Sequence, residues 1–336
     1  MRCQEVRLIS VPVGTVTAEC FDVVEVAVAE PDQGQVLVGL RRLGLNAGLV
    51  HRLGGEGTPY GPGVGIGDVP ASDAVVEVLE SRDQRFHPGD LAVTVLPWRV
   101  AAVVDADRLR KIDASASSKG LESYLTILGH VGFTAYAGMI HIGDVQPGDI
   151  VCVSGAAGGV GSCAVQFAKA RGAKVIGVAG SVDKVALLTN LLGADRAVNR
   201  HDGPALDLLR EAAPHGIDLY FDNIGGEQLE AALEVLNFGG RIVICGAVSS
   251  GSGSGAPANF RRLIYQELTM RGFTVTAHED LRPRFEHEVG DWLRAGRVRS
   301  IHTVFDGIER LPQAFESLLT GGTTGRAIVS VSSQSG

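Results

Sequence analysis

A glycine-rich turn between a buried strand and an apolar helix constrains this chain more than any other feature. The stretch from Asp149 to Ser162 reads DIVCVSGAAGGVGS. Ala156, Gly158 and Gly161 occupy the three positions of a GxGxxG/A pattern, with alanine in place of the first glycine. Such a turn brings backbone close to a pyrophosphate, and the helix that follows offers unpaired N–H groups to the phosphates. Strand, turn, helix and next strand together predict a dinucleotide site.

The residues after the second strand indicate which dinucleotide fits. An NAD site usually ends this strand in a carboxylate that binds the ribose 2′-hydroxyl. Here the strand from Lys174 to Ala179 is followed by Gly180 and Ser181. Lys184 lies one turn into the next helix, and Arg200 follows the third strand. A hydroxyl and two cations suit a 2′-phosphate, so we predict NADPH as the cofactor.

The order of the elements predicts the fold class. Up to about residue 120, short β-branched runs separated by turns indicate a small barrel or sandwich. From about residue 121, strands alternate with helices, which indicates a doubly wound parallel sheet. The tail returns to β structure after a short helix near 311–319. The glycine- and proline-rich stretch 53–70 is expected to be a long loop, and 249–255 (SSGSGSG) either a lid or an ordinary surface loop.

Composition excludes several classes of function. The net charge of −8 argues against a nucleic-acid or anionic-membrane partner, because both need a basic surface. Five scattered cysteines suit a reduced protein rather than a disulfide framework. The N-terminal segment lacks a signal-peptide run, and no stretch approaches 18 apolar residues. We therefore expect a cytoplasmic enzyme with a small-molecule substrate.

Several further stretches carry a family resemblance. They read GFTAY at 132–136, VQPGD at 145–149, GSVDK at 180–184, YFDNIGG at 220–226, CGAVS at 245–249 and LTMRGF at 268–273. With the turn at 156–161, they resemble the zinc-independent medium-chain dehydrogenase/reductases. The similar branch is that of leukotriene B4 12-hydroxydehydrogenase, prostaglandin reductase and NADP-dependent enone reductases.

The resemblance implies two domains. A GroES-like β-barrel domain on the substrate side would cover residues 1–120, with residues 300–336 returning to it. A Rossmann NADP-binding domain would cover residues 121–299. In this family the Rossmann domain often mediates dimerisation, so a homodimer is expected.

The resemblance also implies roles for the cofactor residues. Lys184 would bind the 2′-phosphate, Gly158, Gly159 and Val160 would line the pyrophosphate, and Asn223 would border the ribose and nicotinamide. The full predicted cofactor set is Ala156, Gly158, Gly159, Val160, Gly161, Gly180, Ser181, Lys184, Arg200, Asn223, Cys245, Gly246, Ala247, Phe273 and Val275. The family has a tyrosine where this chain has Arg200, although a cation there still favours NADP.

The implied reaction is reduction by NADPH of a C=C bond conjugated to a carbonyl group. Hydrogen-bond donors would stabilise the enolate, so no zinc is needed. The four-cysteine structural lobe is missing from the sequence, and no Cys, His and Glu set marks a catalytic zinc. We therefore predict no metal site.

The departures from the family pattern lie on the substrate side. NAGLV at 46–50 and GDVPAS at 67–72 replace two family stretches, and Thr323 replaces an asparagine. Asn46, Pro70 and Ser72 are the predicted substrate-pocket residues. His278 stands where the branch often has a tyrosine that polarises the substrate carbonyl, and it is the first catalytic candidate. The second is Tyr136, expected to begin a helix whose end faces the cleft.

Three functions stay open on the sequence. The first is an NADPH-dependent enone or enoyl reductase. The second is a quinone reductase, or a reductase of a C=N bond or a cyclising biosynthetic intermediate, on the same scaffold. The third is an NADPH-binding sensor or interaction protein without turnover, which the altered substrate side keeps open.

Overall fold

The computed structural model describes residues 1–58, 61–112, 120–246 and 257–331. The chain forms two compact units. Unit 1 consists of Met1–Leu125 and His302–Gly336, and unit 2 consists of Thr126–Ile301. The predicted lid or loop at 249–255 lies outside the described residues.

Unit 1 is built from β-strands. Most of them join one sheet in the order β16-β17-β3-β6-β7-β9, with β8 paired to β3, while β1–β2 and β4–β5 form separate pairs. The strands are β1 Arg2–Leu8, β2 Phe21–Ala27, β3 Gln35–Gly44, β4 Gly57–Thr58, β5 Gly61–Pro62, β6 Ala71–Ser81, β7 Leu91–Pro97, β8 Ala101–Asp105, β9 Arg110–Ile112, β16 His302–Asp306 and β17 Arg326–Ser330. Among its described residues, one α-helix belongs to this unit, α8 (Leu311–Leu319).

The core of unit 1 centres on Trp98, which is fully buried. Its ring contacts Phe21 and Phe315, with ring centroids 5.4 and 5.6 Å apart. These aromatic residues come from the segment before β8, from β2 and from α8, so the C-terminal helix closes the core of the N-terminal strands. The predicted return of the tail to β structure is confirmed by β17, which pairs with β3.

Unit 2 is a parallel sheet with helices between its strands. The order is β12-β11-β10-β13-β14-β15, and every recorded pairing is parallel. Its strands are β10 Ile150–Val153, β11 Lys174–Ala179, β12 Arg196–Asn199, β13 Ile217–Asp222, β14 Leu236–Ile244 and β15 Thr269–Gly272. Its helices are α1 His130–Tyr136, α2 Gly159–Ala170, α3 Val182–Asn190, α4 Ala205–Ala212, α5 Glu227–Val235, α6 Arg262–Tyr265 and α7 Arg282–Arg294.

Short helical turns complete both units. A π-helix, Ala137–Ile142, continues directly from α1. The 3₁₀ helices are Ala18–Cys20, Ala47–Arg52, Ala106–Arg108, Leu121–Tyr124, Val275–Leu281 and Ile308–Arg310. The stretch 53–70, expected as a loop, contains the β4–β5 pair, and Leu53 and Val64 are buried beside it.

The strand order of unit 2 locates a ligand site. Strands β10, β11 and β12 run outward in one direction from the centre, and β13, β14 and β15 run outward in the other. Ligands of such sheets bind beyond the carboxyl ends of the strands, where the order reverses. In this sheet that point lies between β10 and β13. The predicted class, a doubly wound α/β sheet with a second β domain, is confirmed.

Candidate functional site at the carboxyl end of the parallel sheet

The glycine-rich turn lies at the reversal point, directly after β10. Gly155 adopts a left-handed conformation (φ +55°), which turns the chain sharply away from the strand. The fingerprint position that carries alanine, Ala156, follows this turn, and its N–H donates to the Val178 carbonyl (2.9 Å). The sharp bend therefore lies at Gly155, one residue before the first fingerprint position. This explains why that position can be an alanine, Ala156.

Gly161 has no room for a side chain. A Cβ at this position would lie 2.2 Å from the Gly155 carbonyl oxygen and 2.8 Å from Cα of Ala156. The prediction that Gly161 lets α2 pack against the turn therefore agrees with the local geometry. Gly158 is the N-cap residue of α2 and supplies no side-chain cap, so the first N–H groups of the helix face the turn without one. Gly159 and Val160 begin the helix, and this arrangement fits a pyrophosphate.

Two cations meet beyond the ends of β11 and β12. These strands pair in parallel with Ala179 opposite Asn199, so the next residues, Gly180 and Arg200, are neighbours. A Cβ on Gly180 would lie 3.1 Å from Nε of Arg200, so the guanidinium group lies over this glycine. Lys184 is close enough that the charge of Arg200, together with burial as the larger cause, lowers its pKa. Two like charges held together in this way favour an anion between them.

Ser181 stabilises the start of α3, beside the two cations. Its side chain caps α3, and its hydroxyl oxygen accepts a hydrogen bond from the Lys184 N–H (3.3 Å). The cap fixes the first turn of the helix and thereby the position of Lys184. The hydroxyl, the lysine and the arginine are thus grouped as the sequence indicated.

A buried network joins the ends of β10 and β13. Asn223 donates its backbone N–H to Oγ of Ser154 (2.8 Å) and its side-chain amide to the Ser154 carbonyl (2.7 Å). Ser154 donates its hydroxyl to Oδ1 of Asp222 (2.8 Å). Sequence reasoning singled out Asn223 but not Ser154 or Asp222. Asp222 lies inside a quoted family stretch, and Ser154 lies between two of them; a polar residue at the end of an apolar strand was the available signal for both.

Cys245 and Gly246 follow β14 at the same edge of the sheet. Their N–H groups donate to the Asp222 carbonyl at 2.8 and 3.1 Å. Burial, and next to it the charge of Asp222, raises the pKa of the Cys245 thiol to about 12. Ala247, which was predicted with them, lies outside the described residues.

The remaining predicted cofactor residues are Phe273 and Val275. Phe273 lies so close to the π-helix that a Cβ on Gly138 would lie 2.8 Å from its ring. Val275 is buried in the main core of unit 2. For both residues a cofactor contact stays a prediction.

The predicted helix position of Tyr136 is wrong. Tyr136 ends α1 rather than beginning a helix, and only 1% of the residue is exposed. Its hydroxyl donates to Oε2 of Glu288 (2.5 Å), and burial, followed by this hydrogen bond, raises its pKa to about 12. Its ring packs on Phe167 and Phe285 in the core, which fits the structural contact that the sequence also allowed; a catalytic role stays a prediction.

His278 lies within the 3₁₀ helix that follows β15. Its ring meets those of His141 and Phe273 edge-on, at centroid distances of 5.3 and 6.3 Å. The residue is half-buried, whereas its neighbours Glu279 and Asp280 are exposed. Its proposed catalytic role stays a prediction.

The three predicted substrate-pocket residues lie in unit 1. Asn46 caps the 3₁₀ helix Ala47–Arg52, and its Oδ1 accepts from the Gly48 N–H (2.8 Å). Pro70 and Ser72 both accept hydrogen bonds from Trp98. The Trp98 backbone N–H donates to the Pro70 carbonyl (2.8 Å), and the Trp98 indole N–H donates to Oγ of Ser72 (3.0 Å). Ser72 is only 8% exposed, so its hydroxyl is engaged inside the core of unit 1.

A cavity of about 490 Å³ lies at the opposite, amino end of the parallel sheet. Its lining includes Gln146 and Pro147 before β10, Ala170 and Arg171 at the end of α2, and Tyr136 and His141. Arg171 forms an ion pair with Glu288 (2.6 Å). The arginine of this lining is thus paired with a carboxylate, whereas the carboxyl end brings the two cations Lys184 and Arg200 together.

The described residues do not fit a zinc ion. Among them, no group of three or more His, Cys, Asp or Glu side chains could hold a metal. Four of the five cysteines are buried in separate places, and the fifth is Cys245. No described helix has the length and apolar character needed to cross a membrane.

Comparison with known proteins identifies the family. Residues 159–289 match the family model described as zinc-binding dehydrogenase, and residues 4–112 match the N-terminal domain of oxidoreductase. The chain is 32% identical to NADPH-dependent curcumin reductase of Escherichia coli (strain K12), over 96% of this chain and 95% of that protein. It is 37% identical to prostaglandin reductase 1 of Rattus norvegicus, over 78% and 82%.

A solved structure agrees over the whole chain. CurA from Vibrio vulnificus in complex with NADPH superimposes with a TM-score of 0.90 at 28% identity, covering 98% of this chain and 99% of that one. The chain belongs to the zinc-independent medium-chain dehydrogenase/reductases, in the branch of prostaglandin reductase and the NADP-dependent enone reductases. The predicted family is confirmed.

Proposed function

We propose that this protein is an NADPH-dependent reductase of C=C bonds conjugated to a carbonyl group, and that it works without zinc. The observation that carries the proposal is the pair of cations, Lys184 and Arg200, beside Gly180 at the carboxyl end of the sheet. A 2′-phosphate there would neutralise two repelling charges, and NADH has no such group. The relatives described above, named as curcumin and prostaglandin reductases, support this choice of reaction.

The chain's own residues have separable tasks in this reaction. The start of α2 at Gly158 binds the pyrophosphate, and Lys184 with Arg200 binds the 2′-phosphate. Asn223, Cys245 and Gly246 border the ribose and nicotinamide. When bound, the cofactor supplies hydride from nicotinamide C4 to the β carbon of the substrate, and the enolate oxygen needs a hydrogen-bond donor.

The activity can be tested with purified protein and NADPH. Small enones and enals, quinones and cyclic imines are offered in turn, and NADPH oxidation is followed by its absorbance. We expect steady turnover with enones or enals, and none with cyclic imines. Turnover with quinones alone would favour the quinone reductase, and NADPH binding without turnover on any of these compounds would favour a sensor.

His278 is the proposed donor to the carbonyl oxygen. A neutral imidazole can donate one N–H to a carbonyl oxygen, as a phenol donates its O–H. His278→Ala should lower kcat about 10-fold or more and leave NADPH binding intact, on the scale of one lost acid–base group. His278→Tyr should recover part of the rate.

His287→Ala is the matched control for this test. Its side chain is 80% exposed on α7 and should have no effect on kcat. An unchanged kcat for His278→Ala across pH 5.5 to 8.5 would assign the donor role to other groups.

Assembly and location complete the proposal. We propose a homodimer, because β15 is the last strand of its sheet and has one open edge in the described part of the chain. We propose a cytoplasmic location, because all five cysteines are free. Light scattering after size-exclusion chromatography tests the first point, and cell fractionation tests the second.

A further inference from the structure

We infer that Asp222 is a positioning residue for the cofactor: it holds three loops at the carboxyl end of the sheet in one arrangement. This inference rests on the proposed function for its reaction, although its main test is cofactor binding alone. Asp222 is the last residue of β13, and it is completely buried.

The first loop that Asp222 fixes is its own continuation. Oδ1 accepts hydrogen bonds from the N–H groups of Ile224 and Gly225, both at 3.0 Å, and from the Tyr220 hydroxyl at 3.3 Å. Gly225 and Gly226 both have positive φ angles, so this loop bends sharply before α5. The carboxylate therefore stabilises a backbone path that few other sequences adopt.

The second loop is the phosphate turn. Ser154 donates its hydroxyl to the same Oδ1 and accepts the Asn223 N–H in return. Because Ser154 directly precedes Gly155, the contact fixes the point at which the turn leaves β10. The side chain of Asn223 reinforces it through the Ser154 carbonyl.

The third loop follows β14. The Asp222 carbonyl accepts the N–H groups of both Cys245 and Gly246. A Cβ on Gly246 would lie 3.0 Å from the Asn223 carbonyl oxygen, so the two loops touch at backbone level. One residue thus joins the pyrophosphate side of the proposed site to its nicotinamide side.

The other carboxylate oxygen of Asp222 gives a second, independent reason for the inference. Oδ2 of Asp222 is buried and has no hydrogen-bond partner among the described residues. A buried, unpaired carboxylate oxygen lowers stability. Oδ2 therefore adds nothing to stability, and what the side chain contributes at this position is the set of hydrogen bonds that Oδ1 accepts from the surrounding loops.

The same strand supplies a matched control. Asp218 lies near the amino end of β13, where Oδ2 accepts the Ile150 N–H and Oδ1 accepts the Asn237 side-chain amide, both at 2.8 Å. It therefore also joins β13 to the neighbouring strand β10. This contact of Asp218 lies at the amino end of the sheet, away from the glycine-rich turn.

The test measures binding of NADPH and of NADH by nucleotide fluorescence, with the melting temperature as the stability readout. Asp222→Ala should weaken both nucleotides by about 30-fold or more, because the arrangement it holds is common to both. Asp222→Asn should recover most of the loss, since its amide oxygen can accept the same donors. Asp218→Ala should lower the melting temperature comparably and leave both affinities unchanged.

Ser154→Ala keeps the test decisive if Asp222→Ala does not fold. It removes one donor of the network and should weaken both nucleotides by about 3- to 10-fold, with KM for NADPH rising and KM for the enone nearly constant. Wild-type affinity in Ser154→Ala, or equal losses in Asp222→Ala and Asp218→Ala, would overturn the inference. The proposed function fails separately, when the wild-type protein binds NADPH and reduces no activated C=C bond.

Discussion

Both ends of the parallel sheet in unit 2 carry basic side chains, but the two ends arrange these charges differently. At the amino end, Arg241 pairs with Asp149 (2.5 Å) and Arg171 with Glu288 (2.6 Å). At the carboxyl end, Lys184 and Arg200 lie together, and their mutual repulsion helps to lower the pKa of Lys184. The amino end thus pairs its arginines with carboxylates, whereas the carboxyl end brings two cations together.

The largest expected effect comes from filling the turn at the carboxyl end. Gly161→Ala would place a methyl group against the Gly155 carbonyl and force the turn and α2 apart. A displacement of about 1 Å at such a site can cost about 100-fold, so kcat/KM for NADPH should fall by that amount. Steady-state kinetics with varied NADPH measure it.

Gly290→Ala is the helical control for this change. Its new Cβ would meet only the flexible end of Arg294, at 3.3 Å. We expect an unchanged kcat/KM for this variant. A Gly161→Ala enzyme with the wild-type value would refute the packing role given to that glycine.

A smaller effect separates the two cofactors. Lys184→Ala removes one charge-assisted contact to a 2′-phosphate, worth roughly 1.5–3 kcal/mol. KM for NADPH should therefore rise by about 10-fold or more, while KM for NADH stays nearly constant. Equal losses with both nucleotides would show that Lys184 supports the fold of the site rather than the phosphate.

The cation pair shows how much of the site could be read from the sequence. The turn, the missing carboxylate after β11 and both cations were predicted from residues close together along the chain. The contact of Arg200 with Gly180 also follows from the pattern, once β11 and β12 are neighbours in a parallel sheet. Local sequence patterns were therefore sufficient to predict the candidate cofactor residues. The predicted family and fold class are confirmed.

The substrate half depended on contacts that no local pattern reveals. Ser72 looks like a pocket residue, but its partner Trp98 is 26 positions away. Tyr136 was placed at a helix start because no capping side chain marks the true start of α1, where Gly129 is the N-cap.

The smallest expected effect concerns Cys245, the half-buried thiol at the carboxyl end. Its pKa of about 12 lies above the ordinary value of 9.0, so the thiolate fraction at pH 8.5 is small. Iodoacetamide at pH 8.5 should therefore label Cys245 slowly and leave the activity within about twofold. The stabilisation from this neutral thiol is complete below about pH 9 and is lost as the pH rises towards 12.

Asp222→Asn sharpens this prediction, because it removes the charge that contributes to the shift. Cys245 should then react faster, as measured by intact-protein mass spectrometry. Rapid labelling of the wild-type protein, or no change in the variant, would contradict the assigned cause.

Amide hydrogen exchange with and without NADPH tests the contrast between the two ends most directly. We expect slower exchange on NADPH binding at 155–161, 180–184 and 223–226, and no change at 143–149 and 170–172. Protection confined to the second group of segments, around the cavity at the amino end, would contradict the account.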